Sequence, residues 1–374
     1  MKTIYLNHAG TSWPKPDCVH RAVEGFRDLD PADWGREFDQ SHRNIAAFFG
    51  VTDAERLLLT PGCTSALALA IADMPWQPND AIVVSSWEHH AVYRPAQKLV
   101  ARGVEVRIVP PGSNGPFDLE RFETFLKTGR VRLVAVSAAS NVTGDLLPIA
   151  EIIRIAHEHE TVVLIDAAQI VGWLPLDFPA TGADMIAFGG HKGLQAPWGI
   201  GGLYVAPHIS LDTPAAVCKL PMAKDQAVCA PMPGYCDGGS VDRFALAGLA
   251  TAVRWLEEPA QQERLTRCRG LIDNFQNQLQ GLPQIQAYGN EDRALRIPTL
   301  AFNFVGRDSN EIASRLGGSR LFVGSGLQCA PLAHETLGTS QTGAIRVSVG
   351  PQTTEEELLQ AAELIASLAE DFAQ

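Results

Sequence analysis

Between residues 81 and 205 the chain alternates short, almost unbroken apolar runs with helical patterns, and few folds accept that rhythm. Residues 81–85 (AIVVS), 131–138 (VRLVAVSA), 162–166 (VVLID), 185–188 and 202–205 read as strands. A strand with one wet face alternates polar and apolar residues. These runs do not, so both their faces must be covered, as in a mostly parallel sheet with helices on either side. Residues 149–159 (IAEIIRIAHEH) place apolar side chains at helical spacing behind Pro148, a favoured start. From about residue 250 the pattern shifts to longer helices, with strands near 299–304 and 344–348. Residues 354–372 close the chain as an amphipathic helix with Thr354 as cap and acids in its first turn. The expectation is an α/β fold: a large domain over 16–250, a smaller α+β domain over 251–374, and residues 1–15 packing back toward the smaller one.

Charge and cysteine content narrow the function. A formal net charge of −12, with no basic block, argues against a nucleic-acid partner or an anionic membrane surface. The apolar segments are too short to span a bilayer, and the N-terminus lacks the apolar stretch of a signal peptide. Seven cysteines at irregular spacing make neither a disulfide framework nor paired zinc ligands. Cys229 and Cys236 form at most a metal half-site without a matching pair, so no metal is expected. An odd count without an export signal points to a reducing cytoplasm.

Polar groups gather where the strands end, the address at which open α/β sheets bind ligands. Gly62, Cys63 and Thr64 precede an apolar helix; their N–H groups and the Thr64 hydroxyl can seat a phosphate, or simply cap the helix. Asp166 ends a buried strand, which is costly unless it meets a positive partner such as a protonated pyridine nitrogen; a loop anchor is the plainer reading. Lys192, in Phe188-Gly189-Gly190-His191-Lys192-Gly193, is either a solvated loop lysine or an amine held for Schiff-base chemistry, with His191 able to donate to phosphate. Glu88-His89-His90 offers an imidazole that can stack on a planar ring, and Asn141 an amide for a phenolic oxygen. Each segment alone is unremarkable. Their shared address is the signal.

In order, the segments GCTS, EHH, SNVTG, DAAQ, GGHKG and GLQCAP resemble the class V aminotransferases, and within them the cysteine desulfurase and selenocysteine lyase-like branch. The resemblance runs from Tyr5 to Arg346 and the helix beyond. It implies the pyridoxal-phosphate-dependent transferase fold type I, with a mostly parallel seven-stranded sheet, and pyridoxal 5'-phosphate as cofactor. It implies Lys192 as the Schiff-base lysine, Asp166 as partner of the ring nitrogen, and His89 stacked on the ring. Gln169 and Asn141 would contact the phenolic oxygen or the substrate, and Gly62, Cys63, Thr64 and His191 would hold the phosphate. Ser240 sits where the family places a hydroxyl reaching the neighbouring subunit's phosphate, so a homodimer with shared sites is implied. Arg346 matches the arginine that clamps the substrate carboxylate. Cys329 matches the mobile-loop cysteine that takes sulfur from L-cysteine as a persulfide, leaving alanine for the product and sulfur for an acceptor protein. The same family also contains C–S lyases, selenocysteine lyases and aminotransferases. A non-catalytic sulfur-transfer scaffold is the reading from another class. Gly324 stands where many relatives have an arginine, Gly189 where a serine or threonine often meets the phosphate, and Leu327-Gln328 where histidine is more usual.

Overall fold

The computed structural model describes residues 2–113, 115–211 and 241–372. In chain order their strands are β1 (Ile4–Tyr5), β2 (Leu57–Thr60), β3 (Asp80–Ser85), β4 (Glu105–Val109), β5 (Arg130–Ser137) and β6 (Val162–Asp166). β7 (Met185–Gly189), β8 (Gly201–Val205), β9 (Ile285–Tyr288), β10 (Thr299–Phe304), β11 (Leu321–Phe322) and β12 (Ile345–Ser348) follow. A seven-stranded sheet has the order β2-β8-β7-β6-β5-β3-β4. Its strands β3 to β7 are parallel, while β8 runs antiparallel to both β7 and β2. The fold is therefore α/β with a mostly parallel central sheet.

The unbroken apolar runs divide residue by residue between two cores. Val83, Val134, Val136, Val163, Ile165, Ile186 and Phe188 face one core, under the Trp34–Phe48, Ile149–Glu158 and Arg243–Glu257 helices. Ile82, Val84, Leu133, Ala135, Leu164, Met185 and Ala187 face the other, under Cys63–Asp73 and His90–Leu99. Period-two alternation is present, but both phases are apolar because both faces are covered. A third core joins Phe275, Phe302, Ile345 and Ile365, where the Arg264–Leu279 and Glu355–Asp371 helices cover the antiparallel β12-β10-β9 sheet. β1 pairs in parallel with β11, through Ile4 with Leu321 and Tyr5 with Phe322. The Arg243–Glu257 helix crosses residue 250 and packs on the Asp17–Phe26 and Trp34–Phe48 helices.

Phe49 stacks on Phe178, with ring centroids 4.1 Å apart and planes at 11°, and lies 4.8 Å from Phe188 on β7. This aromatic cluster belongs to the same core as Leu194 and Ala196, which follow Lys192. Truncating a fully buried aromatic of this kind costs about 3–5 kcal/mol. Phe49→Ala is expected to lower the thermal midpoint sharply, while Phe178→Leu, which keeps most of the apolar volume, should lower it much less. Equal midpoints for the two variants in a calorimetric scan would contradict this packing account.

Candidate active site

Strands β2, β3, β5, β6 and β7 all present their C-terminal ends to one edge of the sheet. The loops that follow bring Gly62, Cys63, Thr64, His89, Asn141, Asp166, Gln169, His191 and Lys192 around one cavity of 690 Å³. Val323, Gly324, Gln328, Cys329 and Arg346 close it from the later part of the chain, and Asn7, Ala9 and Gly10 from the N-terminus. Ser240 lies outside the described residues.

Each side chain is held by identifiable contacts. Gly62 caps the Cys63–Asp73 helix without a side-chain hydrogen bond, so its first N–H groups are open to the cavity edge. Asp166 Oδ1 accepts from the Ala168 N–H at 2.9 Å and the Cys63 thiol at 3.3 Å, leaving Oδ2 to the cavity. His89 caps the next helix by accepting the Ala91 N–H at Nδ1, 3.0 Å away, so the proton of its neutral ring belongs on Nε2. The Lys192 carbonyl accepts from the Gln195 N–H at 2.9 Å. The next residue, Gly193, lies so close to Val171 that a Cβ there would overlap the Val171 carbonyl. Arg346 donates through Nη1 to the Asn141 carbonyl (2.5 Å) and through Nη2 to Asn7 Oδ1 (2.8 Å). Its buried Nε has no partner.

Asn141 and Gln169 also make contacts within the chain. The Asn141 amide donates to the Gln328 carbonyl at 2.8 Å, leaving its Oδ1 buried and unpaired, and Gln169 Nε2 donates to the Ala9 carbonyl at 3.1 Å. Asn141 thus ties the cysteine loop to the sheet edge. In that loop Gln328 and Cys329 both have left-handed backbones, φ +48° and +58°, and the Cys329 carbonyl accepts from the His90 N–H at 2.7 Å. Cys329 is exposed at the cavity, not buried in a core.

Burial drives every charge here toward neutrality. It raises Asp166 above the usual carboxylate range, with Lys192 opposing. It lowers Lys192 below the usual amine value, Asp166 again opposing and Arg346 adding to the effect. It brings Arg346 down to about 10, His89 to about 3 and His191 to about 4. Among the described residues no cluster of acids, histidines and cysteines could hold a metal ion, and no helix is long and apolar enough to cross a membrane.

Sequence reasoning missed three contributors. Asn7 and Lys15 act across more than 170 residues, as Lys15 Nζ lies 2.8 Å from the His191 carbonyl. Glu88 was seen only as the neighbour of His89. Its carboxylate is fully buried and accepts from Ser85 Oγ (2.5 Å), the Ser137 N–H (2.9 Å) and Ser137 Oγ (2.7 Å), stapling β3 to β5 beneath the His89 turn. Its place at the end of an apolar strand was the available signal.

A sheet of this order, with its loops gathered at one edge and a second small sheet closing the cavity, is fold type I of the pyridoxal-phosphate-dependent enzymes. The likeness to solved structures carries that assignment. A cysteine desulfurase from Thermococcus onnurineus NA1, solved in its apo form, superposes with a TM-score of 0.86 at 24% identity, covering 99% of this chain and 95% of that one. A cysteine desulfurase from Escherichia coli gives 0.83 at 23%, with the same coverage. The family model for class-V aminotransferases matches residues 4–360, so the chain belongs to that family. Among curated relatives, a probable cysteine desulfurase from Methanothermobacter thermautotrophicus is 27% identical over 98% of this chain and 94% of its own length. A cysteine desulfurase from Escherichia coli is 28% identical over 83% of this chain and 77% of its own.

Burial pushes the Glu88 carboxyl up to about 7 from an ordinary 4.5, against the pull of its serine hydrogen bonds. A carboxyl that holds its proton more tightly when folded stabilises the fold fully below about pH 4.5, and that contribution fades as pH rises through about 7. Glu88→Gln removes this dependence. Its thermal midpoint relative to wild type should improve from about pH 5 to about pH 8. A difference that stays constant across that range would refute the assignment.

Proposed function

We propose that this chain is a cysteine desulfurase that works with pyridoxal 5'-phosphate, converting L-cysteine to L-alanine and retaining the sulfur on Cys329. One observation carries the reading: Lys192, Asp166, Arg346 and Cys329 line a single cavity although they come from distant parts of the chain. The names of the curated relatives point the same way.

The donor set fits the cofactor. An uncapped helix N-terminus with Thr64 beside it, and His191 with its buried Nδ1 unpaired, suit a phosphate. Asp166, with Oδ2 free toward the cavity, suits a protonated ring nitrogen, the neutral His89 ring suits a planar face, and the unpaired Asn141 Oδ1 is left to meet a polar group. Lys192 would hold the cofactor covalently through Nζ. When bound, pyridoxal 5'-phosphate supplies an electron sink that lets a Cα proton leave.

The remaining work falls to the chain's own side chains. Arg346, whose two partners are neutral oxygens, keeps its charge for the substrate carboxylate and fixes its orientation. Lys192, with its amine lowered by burial, removes and returns protons at the substrate. Cys329 Sγ attacks the substrate sulfur. The S–S bond takes its electron pair from Cys329, the Cβ–S pair goes to carbon, and a proton taken up there completes alanine. The persulfide on exposed Cys329 is open to an acceptor protein.

The same reading takes residues 16–250 as the cofactor-holding domain and 251–374 as the smaller one, with 1–15 joined to the latter through β1 and β11. It includes a homodimer in a reducing compartment such as the cytoplasm. Trp198 lines the cavity yet is 65% exposed, and exposed Trp34 and Phe244 sit on helices joined by Arg243 donating to the Trp34 carbonyl. These rings offer apolar surface to a second copy.

With cysteine and a thiol reductant, the wild type should release alanine and sulfide in equal amounts, and Cys329→Ala should not. Pyruvate and ammonia in place of alanine would overturn the reading in favour of β-elimination. Arg346→Lys keeps the charge but loses the planar fork, so KM for cysteine should rise roughly 10- to 100-fold. At Gly189 a Cβ would make only ordinary contacts, the nearest 3.5 Å from Cys63 Cβ. Gly189→Ser should therefore add a phosphate donor and slow cofactor loss on dialysis. Loss at or above the wild-type rate would remove Gly189 from the phosphate site.

A further inference from the structure

The N-terminal segment runs like a strap between the two groups that the proposed reaction most needs. Leu6 is tied to Phe322 and Ser348, Asn7 holds Arg346, and the Ala9 carbonyl accepts from Gln169. The segment then reaches the peptide that precedes Lys192. There the single carbonyl oxygen of His191 accepts from the Ser12 N–H (2.9 Å), Thr11 Oγ1 (3.0 Å), Ser12 Oγ (3.2 Å) and Lys15 Nζ (2.8 Å).

We propose that Lys15 is a positioning residue for Lys192: its ammonium, clamped on the His191 carbonyl, fixes the peptide plane from which the Lys192 side chain reaches into the cavity. A carbonyl oxygen has two lone pairs, so Ser12 and Thr11 would already satisfy it. A half-buried cation added there, with no carboxylate within ion-pair distance among the described residues, is an expense that hydrogen-bond satisfaction does not explain. What the ammonium adds is strength, since a charged N–H donor bonds about twice as strongly as a neutral one. The other contact of Lys15 Nζ is the Ser12 hydroxyl, at 2.6 Å. The titratable groups facing it are His191 on the lysine loop and His8 on the strap, both held neutral by burial at about 4. Burial lowers Lys15 itself to about 7, so the clamp loses its charge as pH rises past neutrality.

The inference rests on the proposed role of Lys192, and the test separates the two. Lys15→Met, Lys15→Arg and wild type would be compared as holoenzymes, scoring the near-visible absorption band, borohydride labelling and alanine production. In Lys15→Met the band and the label at Lys192 should persist, kcat should fall about 10- to 100-fold, and KM for cysteine, set at Arg346, should stay within about twofold. Lys15→Arg should restore most of kcat, and the decline of wild-type kcat above about pH 7 should be absent from it because arginine stays charged. If Lys15→Met did not fold, the pH comparison of Lys15→Arg with wild type would decide alone. An intact band with unchanged kcat in Lys15→Met, or the same alkaline decline in Lys15→Arg, would overturn the role of Lys15. A wild type with no band, or with the label elsewhere, would instead overturn the reading of Lys192.

Discussion

A lysine amine and an aspartate carboxylate share a buried cavity at the ends of neighbouring strands, and the surrounding structure is arranged to tolerate that pair. Burial pulls each toward its neutral form while each pulls the other back. Arg346 adds a second cation on the far wall, and neither of its hydrogen-bond partners carries a compensating charge. A flexible site would relax by letting water or a side chain neutralise these groups. This site is instead framed by backbone. Asp166 terminates β6, Lys192 follows β7 within three residues of its end, and Gly193 lies against Val171. Phe49 stacks on Phe178 and both rings tilt against Phe188, so the strand that leads to Lys192 is packed on a close aromatic cluster.

Much of the frame was legible because strands buried on both faces leave an unmistakable trace. The 162–166 and 299–304 runs are strands over those same residues, and the others agree within a residue at each end. Within the seven-stranded sheet, β2 and β4 were not picked out. β2 is four residues long, and β4 has the charged, partly exposed sequence EVRIV of a sheet edge. The reversal of β8 was also invisible, since strand direction leaves no mark on composition. At the site, the sequence supplied the residues that strand ends deliver locally. It could not supply the contacts of Asn7 with Arg346, 339 positions away, or of Lys15 with His191, 176 positions away.

The departures from the family pattern acquire physical content in the structure. A Cβ at Gly324 would stand 3.0 Å from Asn7 Oδ1 and 3.3 Å from Arg346 Nε, so the absence of a side chain lets Asn7 and Arg346 meet, with Nε buried and unpaired. With glycine in place of the arginine of many relatives, this chain adds no further guanidinium beside Arg346 and orients Arg346 through a neutral amide. Gly189 is different in kind. Nothing crowds it, so the missing hydroxyl there is a subtraction from the site, not a condition of its packing.

The cysteine loop shows how finely such a site is balanced. Two consecutive left-handed residues, Gln328 and Cys329, cost of order 1–3 kcal/mol each. Three hydrogen bonds oppose that strain: His90 N–H to the Cys329 carbonyl, Asn141 to the Gln328 carbonyl, and Gln328 Nε2 to the Ala344 carbonyl. Each contributes about 0.5–1.5 kcal/mol. Strain and restraint are of the same size, so the position of Cys329 is sensitive to any one of the three. The one most exposed to events in the cavity is Asn141, which lines it and whose carbonyl also holds Arg346. Through that residue the carboxylate clamp and the sulfur-bearing loop, which close the cavity together from the later part of the chain, share a physical connection.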